Sequence, residues 1–193
     1  MKQKDAINII HIKNMVCPRC IAAVEKLLKK ENFAVQSVEL GKAVILGNID
    51  KEQKRVLADG LKELGFELLD DRKTRIIEEI KTAVIEFVHY QENNLNINLS
   101  DFIVSKLHQD YTALSKLFSD NEQTTIEKYF IAQKVEKVKE LLSYGELTLN
   151  EIAFKLNYSS SAYLSAQFKQ VTGMTPSQYK SSDLQNRRTL DSI

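Results

Sequence analysis

The spacing of apolar residues changes character near residue 71. Before that point, short strand-like runs alternate with two helical stretches. AINIIHI (6–12) has strand composition, with Ile10 and Ile12 on one face. CPRCIAAVEKLLKKEN (17–32) follows a helical period, because Cys20, Val24, Leu27 and Leu28 fall at i, i+4, i+7 and i+8. VQSVEL (35–40) and KAVILGN (42–48) read as a hairpin about Gly41. DKEQKRVLADGLKELG (50–65) is helical again, with Leu57, Leu61 and Leu64 aligned, Asp50 as N-cap and Gly65 as stop. FELL (66–69) makes a last short strand. The order βαββαβ is the ferredoxin-like pattern of an α+β domain.

From Arg72 the strand signals vanish and the pattern predicts an all-α segment of about seven helices. RIIEEIKTAVIEFVHYQ (75–91) aligns Ile76, Ile80, Ala83, Val84 and Phe87 on one stripe. Helix-start boxes punctuate the rest. Thr124 precedes Glu127 by three, Thr148 precedes Glu151, and Thr175 precedes Gln178 with Pro176 at the first helical position. Asn98 before Asp101 is a weaker version. Within this segment Leu99-Ser-Asp101 echoes Leu149-Asn-Glu151 at an offset of 50, and Leu114-Ser115 with Phe118 echoes Leu164-Ser165 with Phe168. Two copies of one helical unit are predicted. They are joined by a long connector at 126–143, whose stripe is Ile131, Val135, Val138 and Leu142.

Composition adds bounds. The 193 residues suit one ordinary domain or two small ones, 43% apolar residues support a packed core, and 27% charged residues a soluble surface. No window approaches ~18 uninterrupted apolar residues, so no membrane partner is expected. Asp5 and Asn8 interrupt what would be the apolar part of a leader. Two cysteines in so long a chain are no disulfide framework, which suits a cytoplasmic, reducing compartment. Lys/Arg and Asp/Glu number 12 and 11 over residues 1–71, 13 and 13 over 72–182, and two each beyond. Neither half is a basic block, so nucleic-acid binding has to rest on motif. There is no nucleophile–base set, glycine-rich phosphate loop or paired carboxylate, so the chain is read as no enzyme. The close of the chain lacks apolar period, and 183–193 is predicted to be a disordered tail.

GELTLNEIAFKLNYSSSAYLSAQFKQVTGMTPSQYK (145–180) resembles the second helix-turn-helix and closing helix of AraC/XylS-type transcriptional regulators. Residues 99–119 resemble that family's first helix-turn-helix and 75–91 its leading helix, so the likeness covers ~75–180. It implies a DNA-binding domain at 72–182 that contacts double-stranded DNA. In such a motif the second helix lies in the major groove with its N-terminal residues toward base edges. One such helix, starting near Asp110, presents Tyr111, Thr112, Ser115 and Lys116. The other, starting near Ser159, presents Ser160, Ser161, Ala162, Ser165, Ala166 and Lys169. Leu114, Phe118, Leu164 and Phe168 face the core, and Tyr163 fits either side. The chain departs from related recognition helices by carrying Ala166 and Ser119 where basic residues are usual. A small counterion-release contribution follows, for which a homodimer or a long bipartite site would compensate.

Residues ~6–70, in a domain bounded at 1–71, resemble the heavy-metal-associated domains of copper chaperones and metal-exporting pumps. The match is Met15, Cys17 and Cys20 in NMVCPRC, with Asn14 where those domains carry Gly. The resemblance implies metal ligation by Cys17 and Cys20. Soft thiolates favour Cu(I) or another soft metal ion, and two sulfurs suit near-linear Cu(I) better than zinc, which takes about four ligands. Pro18 suits the first helical turn and leaves Cys20 near the helix N-terminus, a placement that with Arg19 adjacent is expected to lower a thiol pKa and favour the thiolate. Met15 is read as core, and His11, His89 and His108 as ordinary residues. Redox use of the pair is the competing chemistry. The combined expectation is a regulator responding to a soft metal. Its alternatives are a metal-independent regulator using its N-terminal domain for dimerisation or partner binding, and a metal-trafficking protein whose helical half binds a partner protein.

Overall fold

The structure is a computed structural model that describes residues 7–90, 97–182 and 187–193. Asp5, Ala6, Gln91 and residues 183–186, on which some expectations above fall, lie outside the described residues. The chain divides into two compact units, residues 1–82 and 83–193. No helix among the described residues is long and apolar enough to cross a membrane.

The first unit runs β1 (Ile7–Lys13), α1 (Pro18–Lys30), β2 (Ala34–Glu39), β3 (Lys42–Leu46), α2 (Lys51–Glu63) and β4 (Glu67–Leu69). The strands form one antiparallel sheet in the order β2-β3-β1-β4. Strand alternation sets its two faces. Ile12, Ala43 and Ile45 turn inward to meet Val24, Leu27 and Leu28 of α1 and Leu57 and Leu61 of α2. Ile7 and Ile9 turn outward, 62% and 55% exposed. The hairpin turns at Gly41, whose φ of +78° is left-handed. Asp50 caps α2 in a box with Gln53. Leu64, expected on the buried stripe, is 46% exposed. The helix has ended there, the chain reverses at Gly65, and Phe66 takes the inward place.

α3 (Arg72–His89) begins in the first unit and ends in the second. Its early turns face the sheet of the first unit, with His11 Nδ1 3.2 Å from Glu79 Oε1. The predicted stripe is too narrow, since Ile77, Ile85 and Val88 are buried as well as Ile80, Ala83 and Val84.

The second unit continues with α4 (Leu99–Leu107), α5 (Tyr111–Glu122), α6 (Ile126–Tyr144), α7 (Leu149–Lys155), α8 (Ser161–Thr172) and α9 (Pro176–Ser181). Its starts are written in the sequence. Asn98, Asp110, Thr125, Thr148, Ser160 and Thr175 each accept an amide of their own first turn. The cap of α6 is Thr125, not Thr124. Glu127, the supposed partner of Thr124, accepts the phenolic hydrogen of Tyr111 at 2.7 Å.

α6 is buried on more than one face. Val135, Val138, Leu141 and Leu142 pack with Ile152, Leu164, Phe168 and Tyr179, while Gln133, Glu136 and Lys139 are buried too. Polar groups so placed need partners. His89 meets Gln133 at 3.1 Å, and Lys139 pairs with Glu136 at 2.6 Å. The end of the chain supplies others. Gln133 Nε2 donates to the Leu190 carbonyl at 3.0 Å, the Arg188 amide donates to Glu136 at 3.2 Å, and Arg187 pairs with Glu140 at 3.1 Å. Residues 187–193 therefore make specific contacts where a disordered tail was expected. The long sequence separation of these pairs hid them.

Candidate nucleic-acid interface and thiol pair

Each helix-turn-helix is built from a short first helix, a tight turn and a second helix whose inner face is apolar. In the first unit of this kind, α4 ends at His108 in left-handed geometry, φ 53°. α5 then starts with Asp110 accepting the Ala113 amide at 3.0 Å. Leu114 and Phe118, one turn apart, are 1% and 0% exposed and hold α5 against the core. In the second, the chain turns through Asn157, φ 52°, and Ser160 caps α8 by accepting the Tyr163 amide at 3.0 Å. Leu164 and Phe168 repeat the inner stripe at 0% and 1%.

What remains outward differs from the sequence reading in detail. Thr112 and Lys116 on α5 are exposed, and so are Ser160, Ala162, Ala166 and Lys169 around α8. Ser115 and Ser161 are half-buried, as is Ser165, whose hydroxyl donates back to the Ser161 carbonyl at 2.8 Å. Tyr111 is also half-buried and its hydroxyl is committed to Glu127. That bond lowers the pKa of the Glu127 carboxyl, while burial first, then Glu127, raises the phenol. Two charges therefore stand at the α5 start, Asp110 and Glu127, both negative. Tyr163 is 55% exposed. Lys169 is the basic residue on the outer side of α8, and Lys116 stands on the outer side of α5 at a different place in the repeat, where α8 has Ala166.

Several residues that position α8 were missed. Tyr158, in the turn, donates its hydroxyl to Gln167 of α8 at 2.8 Å, and its ring lies 6.0 Å from that of Tyr163. Lys134 of α6 places its Nζ 3.6 Å from the centre of the Tyr158 ring. Burial pushes that lysine down to about 8. A lysine directly beside the apolar stripe residue Val135 was the available signal.

The thiol pair sits where β1 meets α1. Asn14 adopts φ 71° and its side chain donates to the Gly65 carbonyl at 3.1 Å, so Asn does accept the left-handed turn. Met15 is 2% exposed in the core of the first unit. Cys17 occupies the N-cap position, Pro18 opens the helix, and Cys20 lies within its first turn. The two sulfurs are 3.3 Å apart and both residues are half-buried. Burial opposes ionisation of Cys17, but the Cys20 amide and thiol, the Arg19 amide and the Arg19 charge outweigh it, and its pKa is lowered. Cys20 is raised, by burial first, with its bond to Cys17 adding to that and amide contacts offsetting part. The lowered thiol is therefore Cys17, where the place of Cys20 near the helix start had pointed to Cys20. Among the described residues no cluster of three or more His, Cys, Asp or Glu is placed around a common metal position. The donor set is two sulfurs, which fits a soft ion of low coordination number and does not fit a four-coordinate zinc.

Residues 103–182 match the family described as the helix-turn-helix domain. The chain is 27% identical over 136 residues to the xylose operon regulatory protein of Escherichia coli K12, an alignment covering 68% of this chain and 33% of that regulator. It is 26% identical over 104 residues to an uncharacterised helix-turn-helix-type transcriptional regulator, YtdP, of Bacillus subtilis, covering 53% of this chain and 13% of that one. Among solved structures, the C-terminal domain of AraT, a response regulator from Geobacillus stearothermophilus, aligns at 22% identity and TM-score 0.48 over 61% of this chain and 97% of that one. The chain spans about a third of the length of the xylose operon regulator it matches. The matched segment, residues 103–182, is similar to a helix-turn-helix domain and falls within the residues that carry the AraC/XylS-type likeness.

Proposed function

We propose that this chain is a sequence-specific, double-stranded-DNA-binding transcriptional regulator, with α5 and α8 as its two groove-entering helices. One observation carries the reading. Two helix-turn-helix units, each with a capped second helix and a buried Leu/Phe stripe, stand at either end of the connector α6. Relatives that are themselves transcriptional regulators support it. Lys116 and Lys169 are assigned to phosphates, and the exposed residues of α8 to base edges.

The finer part of the proposal concerns the first unit. Its βαββαβ order and β2-β3-β1-β4 sheet support a ferredoxin-like reading. Cys17 and Cys20 would hold Cu(I) or another soft metal ion as paired thiolates. Bound there, such an ion would tie the two cysteine side chains together at the start of α1. Both sulfurs would ligate as thiolates, so binding would release any proton they carry. Such an ion regulates only if it prefers one of two arrangements of the protein.

The test is binding to the DNA upstream of its own gene, with and without Cu(I) under reductant, for the wild type and the Cys17→Ser/Cys20→Ser variant. A specific shift for the wild type that changes with Cu(I), and does not change in the variant, is the expected outcome. An equal shift in all four removes the metal response and keeps the DNA reading. Absence of a shift in every condition removes both.

A further inference from the structure

We infer that α8 reads T·A base pairs in the major groove, with the methyl groups of Ala162 and Ala166 seated against thymine methyls. The inference rests on the DNA-binding reading and specifies what that same helix recognises.

The inner face of α8 is fixed by Leu164 and Phe168, both buried. The outer face opposite them is formed by Ala162, Ala166, Lys169 and Gln170, with Tyr163 beside them. Ala162, Ala166 and Gln170 follow one another in four-residue steps, so they form a single row along the helix. Ser161 and Ser165 are half-buried, and the Ser165 hydroxyl donates to the Ser161 backbone carbonyl, which removes Ser165 from the row. Ala162 and Ala166 therefore occupy its first two turns, the part of a recognition helix that reaches base edges.

The chemistry of this row is selective. Guanine is read by Arg or Lys at O6 and N7, and cytosine by a carboxylate accepting from N4. α8 contains no Arg, Asp or Glu, and its one lysine, Lys169, lies in the third turn beside the row. The two leading positions of the row, Ala162 and Ala166, offer methyl groups, and an apolar contact with the thymine C5 methyl is the readout open to them. Gln170 continues the row with a side chain that matches adenine at N6 and N7. Tyr163 does not cover the alanines, since its ring leans toward Tyr158. α5 is different, because its outer face carries Lys116 and stands beside Asp110 and Glu127. The thymine assignment belongs to α8.

Two measurements decide it with the full chain. The first is selection from a random duplex library, run in parallel for the wild type and Ala166→Arg, a substitution at an exposed position that leaves the core intact. The motifs should differ at one or two adjacent base pairs, thymine in the wild type and guanine in the variant. The second replaces each thymine of the wild-type site in turn by uracil, which keeps every hydrogen-bonding edge and lacks only the methyl. Loss of about fivefold in affinity is expected at the base pairs under α8. This scan needs no variant and stands even if Ala166→Arg does not bind. A wild-type motif in which no thymine responds to uracil, or in which the variant changes a G·C pair, overturns the thymine assignment and leaves DNA binding standing. Failure of the wild type to enrich any motif overturns the DNA-binding reading, and this assignment with it.

Discussion

The two helix-turn-helix units of the second half make a controlled comparison within one molecule. α4 and α7, α5 and α8, and α6 and α9 each begin 50 residues apart. From residues 111–130 to 161–180, 18 of the 20 positions are buried, half-buried or exposed alike, and the exceptions are Ser119 against Lys169 and Phe130 against Lys180. Packing is thus repeated almost residue for residue. The outward chemistry is not. α5 opens on Asp110, and Tyr111 is tied to Glu127, whereas α8 opens on Ser160 and presents two alanines. Like interiors with unlike exteriors separate what holds such a unit together from what it touches. Where Asp110 and Glu127 stand, approaching phosphates meet two carboxylates; the start of α8 carries no carboxylate of its own.

The largest test strikes the shared interior. Phe118→Ala and Phe168→Ala should each destabilise the protein by about 3–5 kcal/mol, since both rings are fully buried. If the repeat governs packing, the two costs measured by urea unfolding will agree within about 1 kcal/mol. A difference of several kcal/mol would break the comparison.

The next test addresses the place where the repeat is broken by length, since α6 has 19 residues against six in α9. His89 lies against Gln133 of that helix and is brought down to about 4, chiefly by burial, below an ordinary value of 6.5. The folded protein therefore binds fewer protons than the unfolded chain between these values. The stability it contributes is present above about pH 6.5 and is lost as pH falls toward 4. Unfolding measured across that window should weaken by about 2–3 kcal/mol in the wild type. His89→Gln should flatten that slope.

A smaller effect is expected at the caps. Thr125→Ala and Thr175→Ala each remove a hydroxyl that accepts a first-turn amide, and should cost about 1 kcal/mol apiece. The smallest effects distinguish the exteriors. Lys116→Ala and Lys169→Ala should leave thermal unfolding unchanged. Each should weaken DNA binding about equally across sequences and reduce the salt slope by roughly one. A variant that changes sequence preference instead would move that lysine from phosphate to base.

Much of this frame was legible in the sequence because its causes are local. Asp50, Thr148 and Thr175 each carry a Gln or Glu three residues on, and all three form reciprocal capping boxes. The Leu/Phe echo announced the inner stripes, and Cys17, Pro18 and Cys20 fall at the strand–helix junction where their spacing put them. What escaped is non-local. Thr124 carries a Glu three residues on and Thr125 does not, so the box motif points to the wrong threonine; Glu127 accepts instead from Tyr111, 16 residues before it. Ser165 looked outward by its small polar nature, but a hydroxyl on a helix can return to the carbonyl four residues back. The burial of Gln133, Glu136 and Lys139 has no local signal, because the groups that satisfy them come from α3, from within α6 and from residues 187–190. Periodicity registers where apolar residues lie and is blind to a buried polar residue with a remote partner.

The docked chain end bears on where this protein can be cut. A stop codon placed after Ser182, at the limit of the family match, would preserve every helix of both helix-turn-helix units. It would also strip the Leu190 carbonyl from Gln133, and the Arg188 amide and guanidinium from Glu136, a carboxylate only 1% exposed. Protease resistance of α6, and solubility of the expressed fragment, would fall although no motif had been touched. Gene boundaries drawn from the matched segment and gene boundaries drawn from the folded unit are different lines, and the shorter one leaves a buried charge exposed to water.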